Sequence, residues 1–161
     1  MSLSDVLFHG NPERREKIIR KSQELIELMK SNFEATNSLT EIVNQHLGSS
    51  FRPITLNEKA TVKENCDVMI KHVNQIQAKV EQVDKELKEK LDPTLYERLQ
   101  KIPLHGFKNI PAAILGYYER DKLEAALAEY DKTLADFRPA SKEYQEAIYE
   151  VKFTVKQFVC T

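Results

Sequence analysis

Val62 to Leu87 reads VKENCDVMIKHVNQIQAKVEQVDKEL, and this stretch decides the fold. Val62, Cys66, Met69, Val73, Ile76, Val80, Val83 and Leu87 fall at alternating steps of four and three. An apolar residue every 3.5 positions draws one continuous stripe along a helix, the pattern of a coiled-coil seam. The residues between are mostly polar or charged, among them Lys63, Asn65, His72, Gln77, Lys79, Asp84 and Glu86, with Ile70 the main exception. Upstream, Thr55-Leu56-Asn57-Glu58 has the form of a capping box, in which the Glu58 side chain returns a bond to the cap residue. The helix is therefore predicted over 55–91, a rod of about 55 Å.

Working outward, Asn11-Pro12-Glu13 combines a capping side chain, a proline at the first helical position and an acid. Gly48 supplies a stop, which predicts a helix over 12–47. Its stripe is Ile18, Leu25, Met29, Phe33, Leu39, Val43 and Leu47. The stripe weakens at Asn32, Ala35, Thr36, Asn37 and Ser38, where a bend is expected. Gly48 to Ile54 is the clearest loop.

Asp92-Pro93 ends the second helix and starts a short one over 93–101. Pro103 and Gly106 interrupt the chain, and Pro111 restarts it. A helix over 111–137 carries Leu123, Leu127, Tyr130, Leu134 and Phe137. Arg138-Pro139-Ala140 reads as a tight connection, and Ser141 caps a last helix over 141–159 with Tyr144, Ile148, Val151, Val155 and Phe158 on one side. The fold class is all-α, a single helical domain over 1–161. Short connectors favour antiparallel neighbours, so the expected form is elongated antiparallel hairpins, or a coiled-coil bundle of four main helices plus one short helix. The first two helices are longer than the last two, which is expected to leave part of the apolar seam uncovered for a partner.

Composition narrows the function. Among 161 residues, 24 are Lys or Arg and 25 are Asp or Glu, a formal net charge of −1. That balance argues against a nucleic-acid surface, and four glycines argue against a Gly-rich phosphate loop. Ile110 to Tyr118, the longest low-charge stretch, is about half of a membrane span, so no membrane insertion is expected. Met1 to Gly10 lack a signal-type apolar run, and the only cysteines are Cys66 and Cys160, which points to a reducing cytoplasmic setting.

No catalytic, cofactor or metal site is expected. His9, His46, His72 and His105 are scattered, with no HExxH and no Glu-x-x-His pair. Acids such as Glu81 and Asp84 sit four residues before Lys85 and Lys88, the spacing of surface helix pairs, so the chain does not read as an enzyme. Arg14, Arg15, Lys17, Arg20 and Lys21 form a basic cluster, but Glu13, Glu16 and Glu24 are interleaved with it, the composition of a solvated face. The candidate partner-binding residues are those of the seam, Val62, Met69, Val73, Ile76, Val80, Val83 and Leu87. To them are added aromatics outside the internal stripes, Tyr117, Tyr118 and Phe153.

The stretch LDPTLYERLQKIP, with Leu91, Asp92, Pro93, Tyr96, Arg98, Ile102 and Pro103, resembles the dynactin subunit 3 family, the small coiled-coil shoulder subunits of dynactin. Lys156-Gln157-Phe158-Val159 looks like a second short match to that family's last helix. The resemblance implies a non-catalytic structural subunit that pairs its helices with dynamitin and a large shoulder subunit. It would be cytoplasmic and cytoskeleton-associated, serving dynein transport along microtubules. The Leu-Asp-Pro junction is also similar to that of Snapin-like subunits of lysosome-related-organelle biogenesis complexes. A stand-alone helical-bundle adaptor is the third reading.

Overall fold

Pro12 opens the first helix and Gly48 closes it. A computed structural model of the chain describes residues 12–82, 93–108, 110 and 123–160. Helix α1 spans Pro12–Leu47 as expected, and Gly48 follows at φ 64°, the left-handed conformation that a Cβ disfavours. Helix α2 spans Val62–Glu81, α3 spans Pro93–Gln100, a single 3₁₀ turn covers His105–Phe107, and α4 spans Leu123–Cys160. The architecture is all-α.

Two boundaries differ from expectation. The helix predicted over 55–91 begins at Val62, because Thr61 and Glu64 make the capping box. The Thr61 hydroxyl accepts from the Glu64 amide at 3.1 Å, and the Glu64 carboxylate accepts from the Thr61 amide at 3.4 Å. Thr55-Leu56-Asn57-Glu58 and Thr61-Val62-Lys63-Glu64 share the same pattern, but the first lies in a segment that other contacts hold extended. Its end beyond Gln82 lies outside the described residues, and so do Val83 and Leu87.

The second difference is at Pro139. The helices predicted over 111–137 and 141–159 are one helix from Leu123, running through Arg138-Pro139-Ala140. Proline removes the amide that would bond the Ala135 carbonyl, a cost of about 3 kcal/mol in a helix interior. Both residues are exposed, so that carbonyl meets water. The opposite face stays continuous, with Tyr130, Leu134, Phe137, Ala140, Tyr144, Ile148 and Val151 all buried. Each such large side chain contributes roughly 1.5–3 kcal/mol, so packing along the face outweighs one missing bond.

Among the described residues, α1 runs parallel to its neighbours rather than forming the expected antiparallel hairpin. Lys21 pairs with Asp131, Glu24 with Arg138, Asn32 with Ser141 and Gln145, Thr36 with Tyr144, and Ser38 with Lys152. Partner numbers rise together, so α1 and α4 are parallel. The link to α2 explains a second parallel pair. From Gly48 the chain returns along α1: Asn44 holds Phe51, Asn37 holds Ile54, and Lys30 pairs with Glu58 at 3.1 Å. Having reached the middle of α1, the chain starts α2, which climbs until His72 meets Thr40. The connector was long enough to reverse on its own, and that removes the argument for a hairpin. From α3 the chain likewise returns along α4: Arg98 donates to the Glu150 carbonyl at 3.1 Å, and Phe107 packs edge-on to Phe137 and Tyr144 at 5.7 and 5.4 Å.

The returning segment 51–57 acts as a strap with a three-residue repeat. At Phe51, Ile54 and Asn57, one asparagine amide pairs with both the N–H and the C=O of the residue. The clasps are Asn44, Asn37 and Asn65, with all six distances between 2.8 and 3.0 Å. Asn37 and Asn44 stand two helical turns apart, about 10.5 Å of rise. Three extended residues cover about 10 Å, so the two periods match. At these three residues, backbone groups with no helix or sheet ladder to join are satisfied by side chains instead.

Candidate functional site

From Val62 to Val80 the seam of α2 lies inside the chain. Val62, Met69, Val73, Ile76 and Val80 are each 0% exposed, with Cys66 among them. The expectation that these residues wait for a partner helix is corrected: α1, the strap, α3 and the 3₁₀ turn cover them. Burial also pushes the Cys66 thiol up to about 12, leaving it an inert small hydrophobe. Tyr117 and Tyr118 lie outside the described residues.

The weak interval of α1 turns out to be a buried polar spine. Asn32, Thr36 and Thr40, spaced one turn apart, face inward at 0 to 2% exposure. Asn32 donates to the Ser141 hydroxyl at 3.0 Å and accepts from Gln145 at 2.8 Å. Thr36 gives its proton to the Asn32 carbonyl and Thr40 gives its own to the Thr36 carbonyl, at 2.7 and 2.9 Å. Those donations leave both hydroxyl oxygens as acceptors, so Tyr144 donates to Thr36, and His72 donates from Nε2 to Thr40 at 2.8 Å. Burial raises the Tyr144 phenol and lowers the His72 imidazole, so both groups are held neutral. The spine ties α4, α1 and α2 together; its one hydroxyl–imidazole pair, Thr40 with His72, is buried, with the hydroxyl proton committed to the Thr36 carbonyl. Among the described residues no group of three His, Cys, Asp or Glu side chains is placed to hold a metal ion. No described helix is long and apolar enough to cross a membrane.

What the surface offers is of two kinds. On the outer side of α4, Tyr149 is 66% and Phe153 48% exposed; the rings lie nearly parallel, 15° apart, with centroids at 6.5 Å. Phe153 thus stands where the sequence placed it, outside the internal stripe, and Tyr149 joins it one turn earlier. The sequence signal for Tyr149 was its offset from the Tyr144–Ile148–Val151 stripe. Glu150 and Arg98, paired at 3.6 Å, border the patch.

The second feature is a shallow depression of about 360 Å³ where α1 and α4 meet, lined by Lys17, Arg20, Lys21, Glu24 and Arg138. Arg138 grips Glu24 through Nε and Nη2 at 2.6 and 2.7 Å, which holds the Glu24 carboxyl below the usual carboxylate range. One of its five lining residues, Arg138, comes from α4, more than a hundred residues away in sequence, and α1 alone did not reveal it.

Residues 14–110, from the first turn of α1 to the end of the 3₁₀ return, match a family described as a protein of unknown function. The chain belongs to the DUF4533 family. The matched region holds the strap and all three asparagine clasps, whereas the aromatic pair and Arg138 lie in α4, after it. No solved structure matches the chain.

Proposed function

We propose that the protein is a non-catalytic helical interaction module that engages a protein partner through the outer face of α4, with Tyr149 and Phe153 as its aromatic anchor. The observation that carries this reading is the exposure of these two stacked rings on a domain whose internal stripes, among the described residues, are closed. Tyrosine and phenylalanine give large contact area at low side-chain entropy cost, and interface centres are enriched in aromatics. The ion pair of Arg98 and Glu150 beside them provides a polar rim. Buried stripes and a neutral polar spine favour a scaffold over an enzyme.

A dynactin-like shoulder role in microtubule transport is one form of this proposal; it rests on the resemblance around Leu91–Pro103. In that form dynamitin-like helices dock on α4. A subunit of an organelle-biogenesis complex, or a free-standing adaptor, would use the same face. The test places a photo-crosslinking amino acid at Phe153 in cells, with Glu143 on the exposed side of the same helix as control. Partners captured at 153 and absent at 143, then lost in Tyr149→Ala, support the reading and name the assembly. Identical captures at both positions would sink it.

A further inference from the structure

We propose that the depression between α1 and α4 is an anion site that takes a phosphate monoester. Lys17, Arg20, Lys21 and Glu24 share one face of α1, and Arg138 of α4 completes the wall. Two of the four cations are neutralised within the chain, Lys21 by Asp131 and Arg138 by Glu24. Lys17 and Arg20 make no ion pair with any described residue. Glu13 and Glu16 lie four residues before them, the spacing at which helix pairs close, yet neither carboxylate contacts its partner among the described residues. The acids that blunt this cluster in the sequence therefore leave the donors of Lys17 and Arg20 uncommitted.

Two free cations match the charge of a phosphate monoester, which carries about −1.5 to −2 near neutral pH and three acceptor oxygens. The Arg20 guanidinium can chelate two of them while the Lys17 ammonium supplies a compact point charge. The Arg138–Glu24 pair is bidentate and fixes one wall, so the depression does not need to be assembled by the ligand. At about 360 Å³ it has room for a phosphate with part of its ester group. The same chemistry is presented by a soluble phosphate ester and by a phosphorylated lipid headgroup.

The test uses the full chain. Soluble inositol trisphosphate is titrated while backbone amide shifts are followed, and flotation is run with phosphatidylcholine vesicles with and without phosphatidylinositol bisphosphate. The expected result is saturable binding at physiological salt, with shifts at Lys17–Glu24 and Arg138. Affinity should fall at least about tenfold in Lys17→Glu/Arg20→Glu. It should be unchanged in Lys71→Glu, an exposed lysine of α2. Binding of the soluble probe alone assigns a free ester, and binding that includes phosphoinositide vesicles assigns the headgroup; both uphold the site. Absence of saturable binding in both arms overturns it, as does binding that survives the double variant or falls equally in Lys71→Glu. Lys17 and Arg20 are exposed, so the double variant should keep the wild-type unfolding midpoint; should it not, Lys17→Gln/Arg20→Gln carries the same reading.

Discussion

Asn37→Ala tests whether the strap is held by side-chain clasps rather than by its own apolar contacts. Asn37 donates to the Ile54 carbonyl at 2.9 Å and accepts from the Ile54 amide at 2.8 Å. The substitution removes both bonds and leaves two half-buried backbone groups without a partner. A hydrogen bond contributes about 0.5–1.5 kcal/mol net, and an orphaned buried group costs about 1–3 kcal/mol. Ile54 is half-buried, so water recovers part of that, and a loss of about 2–3 kcal/mol is expected. For a domain of this length it corresponds to a fall of about 4 to 12 °C in Tm.

The assay is urea unfolding by circular dichroism, combined with amide exchange at Ile54 and Phe51. Ile54 should exchange faster in Asn37→Ala, while Phe51, held by Asn44, keeps most of its protection. Asn44→Ala loses bonds to both backbone groups of Phe51 and to the Ser49 hydroxyl, so its cost should be at least as large. The two clasps share no partner, so independent bonds predict additive losses within about 0.5 kcal/mol. A strap that lifts as one unit predicts a double variant cheaper than the sum. Unchanged Ile54 exchange in Asn37→Ala, with a loss below about 0.5 kcal/mol, would refute the clasp account altogether.

His72 is held below its ordinary 6.5 by burial, so on acidification the unfolded chain takes up that proton first. Stability is full above the unfolded value and falls as pH drops through 6.5 toward the lower folded value, and His72→Gln should flatten that slope in urea titrations. A Cβ on Gly106 would sit 2.7 Å from the Ala140 Cβ and 3.4 Å from its Cα, so Gly106→Ala should cost about 1–3 kcal/mol, partly recovered by adding Ala140→Gly. Tyr144→Phe removes the bond to Thr36 and should cost about 1–2 kcal/mol by the same unfolding measurement. Tyr149→Ala/Phe153→Ala, by contrast, should leave the unfolding midpoint within about 0.5 kcal/mol of wild type while abolishing partner capture, because both rings are on the surface.

The apolar stripes were legible because a 3.5-residue period has one physical meaning on a helix. Every stripe residue of α2 from Val62 to Val80 is buried, and so are six of the seven named in α1, with Leu47 at its end partly so. The start of α2 was not legible, since two Thr-x-x-Glu patterns lie six residues apart and only the asparagine clasps decide between them. Pro139 misled for a related reason: its local cost is certain, but the buried face that outweighs it is set by α1 and the 3₁₀ turn. Helix direction was the largest miss, since antiparallel neighbours were expected and α1 and α4 run parallel. Periodicity says which face is buried and is silent on whether a neighbour runs up or down; here that information sits in polar residues that a hydrophobic pattern discards.

Those polar residues explain why one arrangement wins. An apolar stripe packs almost equally well against a neighbour shifted by one heptad or reversed, because leucine and valine contacts have little directional preference. Asn32, Thr36 and Thr40 do have one. Shifting α4 by a turn would part Asn32 from Ser141 and Gln145 and Thr36 from Tyr144, leaving several buried donors and acceptors unpaired at about 1–3 kcal/mol each. Reversing α2 would carry His72 away from Thr40 and deprive the strap of Asn65. The weak interval of α1 thus contributes little to hydrophobic stability and much to register, as a single buried polar position does in a coiled coil. Replacing Asn32, Thr36 and Thr40 with leucine, valine and valine should therefore give a chain that is still helical yet loses amide-shift dispersion. A triple variant with a single, well-dispersed native spectrum would show that the apolar stripes alone set the parallel order.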